Sequence, residues 1–159
     1  MEFLKRNDVS LAYEDTGTNL PPMILVHGCG VDHSTLMPQA DFFSKSHRVI
    51  SVDLRGHGKS DAPHQDYTMA GFADDIAWLC TALGVVKPVV VGHSMGGNVA
   101  LELAASHPEL PSSLLMIDST LLTASRARYS AASSSRNVGR GALSRWLSAE
   151  PLNNVSAHG

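Results

Sequence analysis

Five residues, Gly92-His93-Ser94-Met95-Gly96, stand between the apolar run Val89-Val90-Val91 and a helical stretch from Gly97 to Ser106. A turn from a buried strand into a helix is too tight for side chains at its flanks, and glycine at 92 and 96 relieves the crowding. Ser94 is then forced into a strained backbone conformation with its hydroxyl held clear of the sheet. The helix N-terminus turns amide donors toward the same point. G-x-S-x-G alone is a weak pattern, and a glycine-bearing turn that merely contains serine is its bland reading. Placed between strand and helix, the pentapeptide has the context of a nucleophile elbow.

The flanking pattern extends along the chain. Glu2 to Arg6 and Val9 to Asp15 read as two strands of a hairpin turning at Asn7-Asp8. Met23 to His27 is a continuous apolar run, as expected of a strand covered on both faces. Ser34 to Ser44 is expected as a helix despite Pro38, and Arg48 to Asp53 as the next strand. Met69 to Leu83 carries Phe72, Ile76, Leu79 and Leu83 at helical spacing, with Gly84 as its stop. Phe72 and Trp78 are expected to pack in the core. Pro88 to Val91 is the strand before the serine, and Ser113 to Ile117 one more. Strands alternating with helices define an α/β fold: a mostly parallel sheet of about six strands with helices on both faces.

Composition excludes several classes. The 159 residues suit one domain, with 43% hydrophobic and 17% charged residues. A net charge of −3 gives no reason to expect nucleic acid or an anionic membrane as partner. No apolar run approaches a membrane span, and the charged start Met1-Glu2-Phe3-Leu4-Lys5-Arg6 has no leader-like apolar region. Two cysteines, Cys29 and Cys80, lack metal or redox spacing and fit a cytoplasmic location. From Ser119 onward the character changes: no aspartate or lysine, one glutamate, five arginines and nine serines. Residues 1–120 are therefore read as the core. Residues 121–159 are an atypical Ser/Arg-rich segment, irregular or helical, with Leu121 to Ser135 and Ala142 to Glu150 as its possible helices and no convincing strand.

Chemistry at a serine needs somewhere for the developing negative oxygen to go. The loop His27-Gly28-Cys29-Gly30 follows the third strand, and glycine on both sides of Cys29 lets a backbone N–H face that oxygen. The N–H of Met95, directly after the serine, is the expected second donor. Phosphate-loop readings fail: a Walker A ending at Gly58-Lys59-Ser60 would need glycine where Asp53 stands. A dinucleotide fingerprint from Gly28 meets His33, and one from Gly56 meets Asp61. His33, His47, His57 and His64 show no paired ligand spacing, so neither metal nor cofactor is expected. His107, beside Pro108, reads as a surface residue at a helix end.

His27-Gly28-x-Gly30, Asp53-Leu54-Arg55-Gly56-His57-Gly58-Lys59-Ser60 and Gly92-His93-Ser94-Met95-Gly96-Gly97, in this order and spacing, resemble the α/β-hydrolase superfamily. The resemblance is closest to its esterase, lactonase and C–C-hydrolase-like branch and covers Phe3 to about Thr120. It implies a sheet ordered 1-2-4-3-5-6, Ser94 after the fifth strand, and His27, Gly28 and His93 shaping the substrate site. Family members continue for roughly as much chain again, through a cap, two strands and the acid and histidine loops, none recognisable here. The family's base and acid follow the serine. Asp118 is the candidate acid, its competing reading a carboxylate closing a turn. His158 is the candidate base, although a position beside the C-terminus is poorly suited to it. The expectation is a carboxylic ester hydrolase built on Ser94 with a weak or incomplete triad, taking a small-molecule ester or lactone, a long flexible ester and a small lactone fitting equally well. The alternative is a truncated, catalytically incompetent homologue that acts through association. Either way a dimer or larger assembly is expected, because Ser113 to Ile117 would be an open sheet edge.

Overall fold

The computed structural model describes residues 1–120 and the backbone of residues 128–130. Glu2–Arg6 (β1) and Val9–Thr16 (β2) form the expected antiparallel hairpin, Arg6 opposite Val9. Asn7 at its turn has φ 54°, a region asparagine enters more readily than most residues. Met23–Val26 (β3) and Val49–Val52 (β4) are buried at every position. Asp66–Thr68 (β5) leads directly into the helix that starts at Met69. Val89–His93 (β6) and Ser113–Ile117 (β7) complete the main sheet, whose order is β1-β2-β4-β3-β6-β7. The pairs β4–β3, β3–β6 and β6–β7 are parallel and β2–β4 antiparallel. This is the expected strand order, with β5 standing outside the sheet.

Helices cover both faces, and period-two alternation decides which strand residue meets which helix. Ile24, Val26, Ile50, Val52 and Val90 pack with Phe72, Ile76 and Leu79 of α2 (Met69–Ala82) and Val99 and Leu103 of α3 (Met95–Ser106). Met23, Leu25, Val49 and Val91 turn to the other face and meet Leu36 and Ala40 at α1 (Met37–Phe43). Phe72 is fully buried, and Trp78 packs partly buried against the same cluster. No helix among the described residues is long and apolar enough to cross a membrane.

Three differences from expectation have a local reason. The helix expected over Ser34 to Ser44 divides into a 3-10 turn, His33–Leu36, and α1, with Pro38 in the first turn of α1. Proline is tolerated there because the amide it lacks would have no intrahelical acceptor. Helix α3 starts at Met95, not Gly97, because Ser94 is itself the N-cap. Finally, Arg128–Ser130 (β8) pairs antiparallel with β5, Tyr67 opposite Tyr129. That corrects the absence of a convincing strand after Ile117, and the strand falls inside the possible helix Leu121 to Ser135, whose other residues lie outside the described ones. Three-residue strands take their identity from their partner and leave little pattern of their own. The possible helix Ala142 to Glu150 and His158 lie outside the described residues.

One polar cluster ties the hairpin, a helix and a loop together. Asp75 of α2 is 1% exposed. It accepts from Arg6 Nη1 of β1 at 3.0 Å and from Arg55, in the loop after β4, through both Nε and Nη2. The Arg55 guanidinium pKa is raised, chiefly by its bond to Asp75. Asp75→Ala should leave two partly buried cations without their counter-ion and cost about 3 kcal/mol of stability. A urea midpoint indistinguishable from wild type would show that the cluster contributes nothing to folding.

Candidate active site

The parallel strands β3, β4, β6 and β7 point their carboxyl ends the same way, so the loops after them share one edge of the sheet. Open α/β sheets place their ligands at this edge. Ser94 sits there with φ 53° and ψ −118°, a conformation that an L-residue adopts only under constraint. The constraint is visible on every side. A Cβ at Gly92 would overlap the Gly96 carbonyl, and one at Gly96 would lie within 2.6 Å of the His27 carbonyl oxygen and closer still to that of Val26. The turn is therefore packed against the end of β3 with no room for side chains. Its backbone is bonded across the sheet: the Ser94 N–H donates to the Ile117 carbonyl at 2.9 Å, and Gly97 N–H to the Ser94 carbonyl at 3.0 Å.

A serine at a helix N-cap ordinarily folds its hydroxyl back onto a helix amide. Ser94 makes no such side-chain cap. It is also half-buried, not sealed in. A strained serine whose hydroxyl is not used by its own helix is a group kept for another partner.

The glycine loop after β3 lies against this serine. A Cβ built on Gly28 would stand 3.3 Å from the Ser94 Cβ and 3.3 Å from His93 Nδ1. Gly28 is buried, whereas Cys29 is partly exposed and packs against the main core cluster. Met95 opens α3 and is 5% exposed. The residues expected to supply the two amides thus flank the Ser94 turn, one on each adjoining element.

The expected site histidines occupy different surroundings. His27 is fully buried, with its ring bridging two strand ends. Leu54 N–H donates to Nε2 at 3.1 Å, which leaves Nδ1–H to donate to the Gly28 carbonyl at 2.7 Å. Burial pushes its pKa down to about 4 against the opposing pull of that carbonyl, so the ring is neutral. His27 therefore holds the loop in shape from beneath. His93 is partly exposed, and its Nδ1 is buried without a hydrogen-bond partner among the described residues. Asp118, the candidate acid, follows the residue bonded to Ser94, with φ 47° and an exposed side chain. Aspartate is among the few non-glycine residues that settle there. His158, the candidate base, lies outside the described residues.

Asp53 and His33 form the group that sequence reasoning separated. Asp53 is fully buried. Its Oδ1 accepts from His33 N–H at 2.8 Å and from His33 Nδ1 at 2.7 Å, and its Oδ2 from Lys59 N–H at 2.8 Å. A Cβ on Gly58 would overlap the carboxylate, and Gly58 has φ 54°, so glycine is required where the loop wraps it. With Asp32, these side chains bring three ligand-type groups within 4.8 Å of one another. Their acceptors are engaged internally, since Asp32 Oδ1 accepts from Ser34 N–H at 2.9 Å. The available signal was weak: an aspartate ending one strand and a histidine just beyond the loop of its neighbour.

A sheet of this order with a strained serine between its strand and helix is the architecture of the α/β-hydrolase fold, and that family's profile matches residues 21–138. The chain belongs to the α/β-hydrolase fold family. Among solved structures it is similar to a thermophilic esterase from Thermogutta terrifontis, at 36% identity and a TM-score of 0.71, over 76% of this chain and 46% of the other. It is 35% identical over 112 residues to 2-(acetamidomethylene)succinate hydrolase of Mesorhizobium japonicum, covering 70% of this chain and 40% of that protein. It is also 33% identical over 118 residues to epoxide hydrolase 3 of Xenopus tropicalis, covering 72% and 32%. The chain spans less than half the length of each of these hydrolases.

The buried His27 gives a pH dependence of stability. Above about 6.5 both folded and unfolded chains hold the ring neutral. Below that the unfolded chain takes up a proton that the folded one refuses until about 4. Stability should therefore fall as pH drops through this window. His57, whose pKa burial also lowers, adds in the same sense. Urea midpoints at pH 7.5 and 4.5 should differ less in His27→Asn than in wild type; equal differences would remove His27 from the account.

Proposed function

We propose that this chain is a serine hydrolase of carboxylic esters, small esters or lactones among them, with Ser94 as nucleophile. The observation that carries the reading is the Ser94 backbone itself: positive φ, no helix cap made by the hydroxyl, and glycines on both sides that no other residue could replace. Ser94 Oγ attacks the carbonyl carbon of the ester, and the carbonyl oxygen becomes an anion facing the N–H groups of Cys29 and Met95. The alcohol leaves with a proton, and water then releases the acid from the serine. Asp118 and His158 are the residues proposed as acid and base. Without a working base, oxyanion stabilisation and binding alone sustain roughly 10³ to 10⁴ over the reaction in water. Similarity to a thermophilic esterase supports an ester substrate. Two cysteines free of disulfides support a reducing compartment, the cytoplasm, as the place of work.

A fluorophosphonate probe tests the nucleophile directly. The native chain should take label at Ser94, heat-denatured chain should not, and Ser94→Ala should lose both labelling and p-nitrophenyl ester turnover. The variant should fold as stably as wild type or slightly better, because it removes a half-buried hydroxyl and no core volume. Turnover that survives Ser94→Ala would end this assignment.

A second reading, association of copies of this chain, has its own observation. Among the described residues β7 is the outermost strand of the sheet, its sequence Ser113-Leu114-Leu115-Met116-Ile117 holds no charge or proline, and Leu115 is 50% exposed. Edge strands without such guards pair readily with another strand. A second copy offers the same edge in antiparallel, self-complementary register. Sedimentation at tens of micromolar, a range chosen from weak-association arithmetic, should show a dimer or larger species, and a clean monomer would dispose of it.

A further inference from the structure

The loop that approaches Ser94 is fastened at both ends to one place. Its first residue, His27, accepts from Leu54 N–H through Nε2. Just past its other end, His33 donates to Asp53 through both its backbone N–H and its ring Nδ1–H. Asp53 and Leu54 are consecutive residues leaving β4, so residues 28–32 form a short arch with both feet on the neighbouring strand. Asp53 is in turn fixed: its N–H donates to the Ala12 carbonyl at 2.9 Å, its carbonyl accepts from Ser60 Oγ at 2.6 Å, and its second carboxylate oxygen holds Lys59 N–H. The footing is rigid and the arch between is rich in glycine.

We propose that His33 is a positioning residue for the Ser94 site: its ring bond to Asp53 clamps the far end of the arch and so sets where the Cys29 amide stands relative to Ser94. Preorganised donors stabilise a developing oxyanion only if they are already in place, and displacement by about 1 Å costs on the order of a hundredfold in rate. The His33 side chain is 11% exposed, and its hydrogen bonds go to Asp53 and not to Ser94. Its role is therefore exercised through the loop. The second ring nitrogen, 3.8 Å from Glu14 Oε1, is beyond hydrogen-bond distance and leaves the Asp53 bond as the side chain's main tie.

This inference deepens the reading of Ser94 as nucleophile and rests on it for its catalytic consequence, so the test carries one measurement that does not. Cys29 lies in the middle of the arch, partly exposed, and its alkylation by iodoacetamide reports how firmly the arch is held. Cys80 is fully buried, with burial pushing its thiol up to about 12, and reacts only when the whole domain opens. His33→Leu removes the ring bond but keeps the backbone bond to Asp53. His33→Asn restores a side-chain N–H near the position of Nδ1.

In His33→Leu, Cys29 should alkylate several-fold faster while Cys80 stays silent, and fluorophosphonate labelling at Ser94 should slow about tenfold or more. His33→Asn should bring both rates back toward wild type. Unchanged Cys29 and Ser94 rates in His33→Leu would overturn the proposal. So would Cys80 reacting in step with Cys29, since the bond would then serve the whole fold and not the arch. If wild type takes no label at Ser94, the nucleophile reading fails by itself, and the Cys29 rates still decide whether His33 clamps the loop.

Discussion

Everything at the site depends on how closely the start of α3 approaches the end of β3. Gly96 rests on the carbonyls of Val26 and His27 with no space for a methyl group. That contact fixes α3 against the sheet, and with it the angle at which the chain leaves β6. Ser94 is the residue that absorbs the mismatch between strand and helix, which is why its φ is positive and its hydroxyl is turned away from capping. The same approach brings the glycine loop alongside, since that loop begins at the very carbonyls on which Gly96 rests. Packing at one point thus arranges strand end, loop and serine together.

Beneath the serine the electrostatics are quiet. His27 and His57 face each other with ring centroids 5.2 Å apart, and burial lowers the pKa of both. Two neutral rings bonded to backbone act here as rigid spacers between loops. Charge is gathered in the Asp75 cluster with Arg6 and Arg55 and in the carboxylate of Asp53 within its ring of donors.

What could be read in the sequence was what local chemistry dictates. The hairpin turn at Asn7-Asp8, the buried runs of β3 and β4, the helical spacing of Phe72, Ile76 and Leu79, and the glycines around Ser94 each carry their reason within a few residues. Asp53, at the exit of β4, ties down its own loop through Lys59 N–H. Its second function, holding His33, depends on β4 lying beside β3, and no spacing along the chain announces which histidine will arrive there. His27 shows the same gap. The resemblance implies a residue that shapes the substrate site; its bond to Leu54 also makes it a brace between two loops, which no local pattern announces. The pairing of β5 with β8 was invisible for a simpler reason: three residues are too few for a period.

The order in which the strands occur in the chain has a consequence for how the protein is made. Only the β1–β2 hairpin and the helices are local; β3 pairs with β4 across α1, and Val26 meets Gly92 only after most of the described chain exists. Contacts of such long sequence separation form late and slowly, because the intervening chain must be closed into a loop first. The strain at Ser94 is imposed where Gly96 meets the carbonyls of Val26 and His27, so it is present only once β3, β6 and α3 have come together. A reactive Ser94 would then serve as a marker that these three elements have packed.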